Sequence, residues 1–339
     1  MVTYIEFPEC NRVTIGQERL NDSPLGAKEV IIRNEASIIS AGTELARLKG
    51  IEPGTEFPVR PGYGSIGIIE AKGSEVTDFE IGDRVFYAGK HASRERFVHD
   101  QGHQWGHLFK VPADLDPIEA ALGCMVEIAM TAPNMTSLRL GDTVVVYGLG
   151  IVGVLAALMY QLKGARVIGV DPLQERCEWA RSLGIQEVVD CHPSSQVEEV
   201  LRLTGAEGAP FTVDAVGHVR VIENCVKTTA PMGEIILLGS PRVPVEGDLN
   251  AIMWDVHLHG KSIRGAHMYR YPVRPQRGVS MDVEWVFSTA FQLILDKKLD
   301  ASRFISHVIS PEQAPEIYHD LLLNPNEYKA VVIDWRTCE

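Results

Sequence analysis

The feature that most constrains the fold is a glycine-rich run at residues 148–153, which stands between two short apolar segments. The run reads Gly-Leu-Gly-Ile-Val-Gly. Residues 144–147, Val-Val-Val-Tyr, precede it, and residues 167–170, Val-Ile-Gly-Val, follow a stretch of helical pattern that ends near Lys163. Short continuous apolar runs are typical of strands buried on both faces of a parallel sheet. The pattern predicts a strand, a tight turn, a helix and a second parallel strand.

The alternation of strands and helices continues beyond this unit. A helical segment carrying Cys177, Ala180 and Leu183 ends at Gly184. Strands alternating with helices indicate a parallel sheet covered by helices on both faces, the doubly wound α/β arrangement. The further short strands are predicted at residues 187–189, 211–216, 234–238 and 262–264.

The first third of the chain consists of short β-type segments separated by Gly and Pro turns, which predicts a barrel-like β domain. The last seventy residues contain one predicted helix, residues 285–296, and a final strand, residues 330–334. We expect residues 1–130 and 267–339 to form one discontinuous domain around a central domain at 131–266, with a ligand between them. The predicted strands of the first third are residues 29–33, 67–71 and 84–87.

The glycine run has the G-x-G-x-x-G spacing and the strand-to-helix context that a dinucleotide-binding turn requires. Gly148 permits the tight turn, Gly150 lets the backbone approach a diphosphate, and Gly153 lets the helix pack against the strand. Ile151 and Val152 begin the helix, whose N–H groups and dipole favour a bound anion. We expect these residues to hold the cofactor diphosphate.

Asp171 ends the second predicted strand, 18 residues after Gly153. A carboxylate at this position accepts hydrogen bonds from ribose hydroxyls and repels a 2′-phosphate. The next basic residue along the chain is Arg176, which we also expect at the cofactor site. The pattern predicts NAD, rather than NADP, as the cofactor.

Five stretches spread over nearly the whole chain match segments of one enzyme family. Residues 39–44 look like a segment containing Cys-Gly-Thr-Asp, and residues 61–64 look like Pro-Gly-His-Glu. Residues 82–85 read Gly-Asp-Arg-Val, residues 126–127 read Val-Glu, and residues 141–144 lead into the glycine run. With these segments the chain resembles the medium-chain dehydrogenase/reductase family, which includes the zinc-type alcohol and polyol dehydrogenases. The resemblance implies a GroES-like β-rich catalytic domain and a Rossmann domain.

The chain departs from the family at the metal ligands. Zinc-dependent members bind catalytic zinc through the Cys and His of those segments and a Cys or Glu before the cofactor domain. Here the three positions hold Ala41, Tyr63 and Glu127. Alanine has no donor atom and a phenol is a poor zinc ligand, whereas catalytic zinc needs three protein ligands. Residues 86–123 contain no cysteine, so the structural zinc lobe is also missing. We expect neither zinc site.

Without zinc, a side chain must handle the proton of the substrate hydroxyl. Thr43 occupies the family's proton-relay position. The plainer interpretation is that its hydroxyl lies at a strand end and hydrogen-bonds the backbone. Tyr63 replaces a ligand, and either donates to the substrate oxygen or fills the vacated pocket. Glu44 and Glu127 flank the same site, where burial would raise the pKa of an acid/base group. Glu44 has the alternative of pairing with a basic residue.

The resemblance also implies roles for residues outside the glycine run. Thr131 corresponds to the residue that packs against nicotinamide, and Gly239 follows a strand beside the nicotinamide ribose. Lys329 stands where the family often places a base near the cofactor phosphates. Arg270 and Arg274, together with Tyr269, either bind a polar or anionic substrate or belong to a solvated loop.

Three histidines, His99, His103 and His107, recur every four residues. On a helix this spacing would place three imidazoles on one face as a metal site. Gly102 and Gly106 disfavour a helix, so a polar loop is the preferred interpretation. A metalloenzyme with a relocated site stays as an alternative.

These features predict an NAD-dependent, zinc-independent dehydrogenase. Its expected substrate is a small polar molecule, a sugar, polyol or cyclitol, of which a secondary alcohol is oxidised or the ketone reduced. The first alternative is a zinc-less quinone or enone reductase that acts on an activated C=C bond. The second is a non-catalytic NAD-binding protein.

The net charge of -13, from 45 acidic and 32 basic side chains, excludes a typical nucleic-acid-binding protein, which needs a basic face. The six cysteines form no Cys-x-x-Cys pair, and neither a signal-peptide pattern nor a membrane-length apolar run is present. We expect a cytoplasmic protein with no membrane partner. The family commonly pairs subunits through the sixth Rossmann strand, which implies a homodimer or homotetramer.

Overall fold

The computed structural model describes residues 1–100, 102–279 and 281–338. The strands in this part of the chain are β1 Val2–Glu9, β2 Arg12–Glu18, β3 Glu29–Ile39, β4 Ser65–Lys72, β5 Arg84–Tyr87, β6 Arg94–Val98, β7 Phe109–Lys110, β8 Thr143–Tyr147, β9 Arg166–Val170, β10 Glu187–Val189, β11 Ala209–Asp214, β12 Thr229–Leu237, β13 Ser262–Gly265, β14 Ile305–Ile309 and β15 Ala330–Asp334. The helices are α1 Ala41–Leu48, α2 Pro117–Ala121, α3 Gly123–Met135, α4 Ile151–Leu162, α5 Gln174–Ser182, α6 Gln196–Leu203, α7 Val219–Thr228, α8 Leu249–His259, α9 Val283–Leu295 and α10 Ala314–Leu323.

The chain divides into two units. The terminal unit comprises Met1–Cys124 and Tyr271–Glu339, and the central unit comprises Met125–Arg270. The sequence places the first boundary after residue 130 and the second after residue 266. The structure therefore gives the central unit a few more residues at each end.

The central unit is built on a six-stranded sheet in the order β10-β9-β8-β11-β12-β13, and every neighbouring pair is parallel. Its strands are apolar because helices cover the sheet: Val145, Ile168 and Ile235 are fully buried in one cluster. The strand order reverses at β8, which β9 and β11 flank. This confirms the doubly wound α/β class, and ligands of such sheets bind beyond the carboxyl ends of the strands at the reversal.

The terminal unit contains a seven-stranded sheet in the order β14-β15-β3-β4-β5-β7, with β6 also pairing with β3. The last strand, β15, pairs antiparallel with β3, so both ends of the chain contribute to one sheet. Strands β1 and β2 form a separate antiparallel ribbon. Phe7, Leu48 and Ile333 pack in one buried cluster together with Tyr318 and Trp335. This cluster surrounds the polar site described below.

Two local expectations were wrong. The last seventy residues contain a second α-helix, α10, in which Tyr318 and Leu321 are buried. Its apolar pattern is short and begins with Pro315, so in the sequence it resembles a turn. Thr43 lies inside helix α1 rather than at a strand end, because the chain turns into a helix at Ala41. None of the helices in the described ranges is long and apolar enough to cross a bilayer.

Candidate active site

The glycine turn connects β8 to α4 and has the geometry of an anion cradle. Gly148 has φ +92°, a left-handed conformation that favours glycine. A Cβ on Gly153 would stand 1.8 Å from the Gly148 carbonyl oxygen, so only glycine allows the helix this close to the strand. At Gly150 a Cβ would meet no heavy atom within 4 Å. The absence of a side chain there leaves the backbone open to a ligand.

The residues present fit a dinucleotide diphosphate. Gly150 is the N-cap of the twelve-residue helix α4, and the first turn, which includes Ile151 and Val152, contains no acidic residue. The first N–H groups of a helix have no acceptor within it and point toward an anion at its N-terminus. This is the arrangement that the sequence predicts for a bound cofactor.

Asp171 follows β9 and is almost completely buried. Its Oδ2 accepts from the Leu149 N–H at 2.8 Å and its Oδ1 accepts from the Leu173 N–H at 2.9 Å. The carboxylate therefore fixes the glycine turn. Arg176 approaches Oδ2 to 3.7 Å, so a cation lies beside the carboxylate and partly offsets its charge.

The other expected cofactor residues of the central unit are Thr131 and Gly239. Thr131 is buried in α3, and its hydroxyl donates to the Glu127 carbonyl at 3.4 Å. The N–H of Gly239 donates to the Asp214 carbonyl at 2.7 Å, and a Cβ on Gly239 would stand 2.1 Å from the Gly217 nitrogen. Gly239 is thus sterically required where the strand end meets the loop after β11.

Lys329 belongs to the terminal unit. It immediately precedes β15, its side chain is exposed, and its backbone N–H donates to Ser306 Oγ at 3.0 Å. Its proposed role toward the cofactor phosphates stays a prediction.

Three of the four expected catalytic residues, Thr43, Glu44 and Tyr63, lie together in the terminal unit. Tyr63 is buried, and its hydroxyl donates to Ser40 Oγ and also hydrogen-bonds with Thr43. Its ring packs edge-on against Trp105, with the centroids 5.6 Å apart. Burial raises the pKa of Tyr63 strongly and neighbouring acidic groups add to the shift, so the phenol keeps its proton at neutral pH. Tyr63 is therefore a hydrogen-bond donor.

Glu44 is fully buried and accepts three hydrogen bonds. Ser40 N–H donates to its Oε1 at 2.9 Å, and His91 Nε2 lies 3.1 Å from its Oε2, which also accepts from the Tyr318 hydroxyl. Burial alone raises the pKa of Glu44, but these contacts outweigh it and the pKa is lowered. Glu44 is therefore ionised, which is opposite to what a general acid at neutral pH requires.

Glu127, the fourth expected catalytic residue, is buried in α3 within the central unit. The residues that sequence reasoning did not assign are Ser40, His91 and Tyr318. They lie far apart in the sequence, and no spacing pattern connects them. Only the fold brings His91 to Glu44.

The three histidines do not share a face. His99 and His107 are buried, whereas His103 is exposed, because a short 3-10 turn at Gln104–Gly106 separates them instead of an α-helix. Among the residues that the structure describes, no group of three or more His, Cys, Asp or Glu side chains is arranged to hold a metal ion. His107 Nε2 instead lies 2.9 Å from Glu284 Oε1.

The expected substrate-binding arginines have different surroundings. Arg274 is ion-paired with Asp78 and with Glu284, so it is not a freely solvated residue. Arg270 is exposed, and the side chain of Tyr269 lies outside the described part of the structure.

The glycine cradle, the doubly wound sheet and the β-rich unit define a two-domain oxidoreductase that uses a nicotinamide dinucleotide. The alcohol dehydrogenase GroES-like domain model matches residues 26–130, and the zinc-binding dehydrogenase model matches residues 151–284. The chain belongs to the medium-chain dehydrogenase/reductase family, and it is an oxidoreductase of the alcohol dehydrogenase type, which acts on CH–OH groups.

Individual relatives show the range of the family. The chain is 30% identical over 226 residues to a quinone oxidoreductase of Pseudomonas aeruginosa, which covers 66% of this chain and 68% of that protein. It is 26% identical over 255 residues to D-guloside 3-dehydrogenase of Escherichia coli, with 75% and 71% covered. The crystal structure of galactitol-1-phosphate dehydrogenase from Escherichia coli superposes with a TM-score of 0.83 at 18% identity, covering 98% of this chain and 99% of that one. This last likeness shows the shared fold.

The surroundings of His107 generate a prediction about stability and pH. Burial first, and then the charges of His99 and Arg274, lower the pKa of His107 to about 3. Below about pH 6.5, the ordinary histidine pKa, the unfolded chain therefore binds a proton at His107 that the folded chain does not bind. The free energy of unfolding should fall as the pH drops below about 6.5, by up to about 1.4 kcal/mol per pH unit from this group.

Thermal unfolding from pH 7 down to about pH 4.5 measures this effect. A His107→Gln variant, which keeps a donor for Glu284, should show a shallower decline. His103→Gln is the matched control because His103 is exposed. Equal slopes in the wild type and His107→Gln would contradict the assignment.

Proposed function

We propose that the protein is an NAD-dependent dehydrogenase that works without zinc on a secondary alcohol of a sugar, polyol or cyclitol-like substrate, or on the corresponding ketone. The observation that supports this most is the hydroxyl cluster of the buried Tyr63 and Ser40 with the half-buried Thr43, at the position where the resemblance places the metal of zinc-dependent relatives. Ala41 and Tyr63 leave that position without two of the usual ligands. A proton donor of the chain itself therefore takes the place of the metal.

The direction of the hydrogen bonds suits alcohol oxidation. The nicotinamide, when bound, accepts the hydride from the substrate carbon. The alcohol must also lose its hydroxyl proton. Tyr63 Oη accepts a hydrogen bond from the substrate hydroxyl while its own O–H donates to Ser40 Oγ. The proton moves from the substrate to Tyr63 as the Tyr63 proton moves to Ser40 Oγ and Ser40 releases its own hydroxyl proton to water, and Thr43 hydrogen-bonds the same Tyr63 oxygen.

The activity test is NADH formation with a panel of polyols, sugars and cyclitols, using protein whose metal content has been measured. We expect turnover that chelators do not reduce. Tyr63→Phe should lower kcat by about 10² or more, since it removes the relay hydroxyl. Tyr328→Phe is the matched control, because it removes a phenol of the terminal unit whose hydroxyl contacts Asp320 instead. Stoichiometric zinc, or full activity of Tyr63→Phe, would refute the zinc-free mechanism.

A second candidate function is the reduction of quinones or enones, which the similarity to the Pseudomonas aeruginosa quinone oxidoreductase favours. Oxidation of NADH or NADPH by quinones, without any turnover of alcohols or ketones, would replace the first proposal with this one.

The proposed preference for NAD rests on Asp171, a buried carboxylate that directly follows β9, where dinucleotide folds commonly bind the ribose hydroxyls. We expect NADH to bind at least about tenfold more tightly than NADPH, measured by fluorescence titration. Asp171→Asn should narrow this difference, because Arg176 is then released to contact a 2′-phosphate. Arg176→Ala is the companion variant and should weaken NADPH further. Tighter binding of NADPH by the wild type would contradict the proposal.

We further propose a cytoplasmic homodimer or homotetramer. Strand β13 has a neighbour on one side only, and four apolar side chains of the adjacent helix α8 are largely exposed. They are Leu249, Met253, Trp254 and Leu258. No disulfide occurs among the described residues, as in a reducing compartment. Light scattering should give two or four times the chain mass of 37.4 kDa, and Trp254→Glu should lower it, whereas a wild-type mass of 37.4 kDa would refute the assembly.

A further inference from the structure

A line of buried hydrogen bonds crosses the terminal unit and ends on Glu44. Trp335 Nε1 donates to Ser37 Oγ at 2.8 Å, and Ser37 Oγ lies 2.7 Å from His91 Nδ1. His91 Nε2 then lies 3.1 Å from Glu44 Oε2. Ser37, His91 and Glu44 are all fully buried. None of these contacts is explained by the cofactor site or by the proposed proton path.

The donors and acceptors along this line determine where each proton lies. An indole N–H can only donate, so Ser37 Oγ accepts from Trp335. In a neutral His91 whose Nδ1 is unprotonated, the hydroxyl hydrogen of Ser37 is donated to Nδ1. The proton of a neutral His91 is therefore on Nε2 and points at Glu44. Every polar group of the line is satisfied with a neutral imidazole and an ionised carboxylate.

Glu44 receives further donors from two other elements. The Tyr318 hydroxyl of α10 donates to the same oxygen as His91, and the Ser40 N–H at the start of α1 donates to the other oxygen. Three donors on one buried carboxylate stabilise its charge. They also prevent Glu44 from exchanging protons with a substrate, since it has no exposed surface.

The contact between Glu44 and Ser40 has a consequence for the proton path. Ser40 is the N-cap residue of α1, yet its hydroxyl makes no capping hydrogen bond to the helix. A serine at an N-cap ordinarily uses its oxygen for that purpose. Here the carboxylate of Glu44 holds the Ser40 backbone, and the Ser40 oxygen is left to accept from Tyr63.

We propose that Glu44 is a positioning residue and that His91, oriented by Ser37 and Trp335, is its fixed donor. Together they hold Ser40 so that its hydroxyl directs the proton of Tyr63 away from the substrate. The catalytic part of this inference rests on the proposed dehydrogenase function. The hydrogen-bond arrangement itself does not depend on it.

The negative charge of Glu44 adds an electrostatic effect. It contributes to the raised pKa of Tyr63, after burial and the neighbouring Cys124. A buried anion near Tyr63 disfavours a phenolate, so the phenol always has a proton to donate. The Glu44 carboxylate therefore positions Ser40, whose oxygen accepts the hydrogen bond from Tyr63. It also keeps the Tyr63 hydroxyl protonated, so that this hydroxyl can donate.

The first test reads the state of His91 directly and needs no substrate. In protein labelled with ¹⁵N-histidine, the His91 signals are assigned by their loss in His91→Gln. We expect the His91 proton on Nε2, with Nδ1 unprotonated and accepting from Ser37. In Glu44→Gln the side-chain amide becomes a donor facing His91, so the proton should move to Nδ1. An imidazolium in the wild type, or an unchanged tautomer in Glu44→Gln, would overturn the arrangement.

Tyr318→Phe and Glu56→Gln serve as controls. Tyr318→Phe removes one donor to Glu44, and we expect the tautomer of His91 to stay as in the wild type. This variant also keeps the test decisive if Glu44→Gln folds poorly. Glu56→Gln makes the same chemical change at an exposed glutamate. With ¹³Cζ-tyrosine labelling, the Tyr63 signal should move in Glu44→Gln and stay in place in Glu56→Gln. A Tyr63 signal that stays in place in Glu44→Gln would refute the positioning role of Glu44.

The kinetic test uses the substrate found by the activity panel. Glu44→Gln should lower kcat about tenfold or more and leave KM within about twofold, because the proton path is misaligned while binding is retained. An unchanged kcat in a folded Glu44→Gln variant would overturn the positioning role even if the tautomer is as expected. If the wild type turns over no alcohol, the dehydrogenase proposal fails, and the two spectroscopic results still decide the inference.

Discussion

The terminal unit depends most on the buried carboxylate of Glu44. A charge removed from water costs several kcal/mol unless nearby donors replace the lost hydration. Strand β3, the loop before β6, helix α10 and the end of the chain must all be in place for Ser37, His91, Tyr318 and Trp335 to supply or orient those donors. Tyr318 and Trp335 also belong to the apolar cluster that excludes water from the site. Packing and polar network are therefore mutually dependent, and the fold of this unit also determines the geometry of the Tyr63 hydroxyl.

The central unit depends on a steric constraint instead of a buried charge. A side chain on Gly153 or Gly239 would collide with backbone atoms, so both close approaches require glycine. Asp171 adds a polar contact, because it accepts from Leu149 in the glycine turn and from Leu173 after its own strand. A single carboxylate thus fixes the shape of the glycine turn. Arg176 beside it makes the local charge less negative than the sequence alone suggests.

Much of the fold follows from local patterns. The strands β5, β10 and β15 agree with their predicted limits, because short apolar runs between turn residues have few alternatives. Helix α10 was missed, since its buried residues are few and a proline stands near its start. The glycine turn and its aspartate could be predicted together as cofactor residues because they are close in sequence. Ser40, His91 and Tyr318 were not found, because their roles arise only from contacts between distant segments.

The sequence by itself determined the doubly wound sheet and the glycine turn, and it predicts that Ala41 and Tyr63 stand at metal-ligand positions of the family. Each of these depends on residue type at a local position, which steric and ligand chemistry restrict. Only the tertiary structure decided that Glu44 is ionised rather than protonated, and that His91 is one of its hydrogen-bond partners. Protonation depends on which donors surround a buried group, and strands and helices from both ends of the chain bring those donors together.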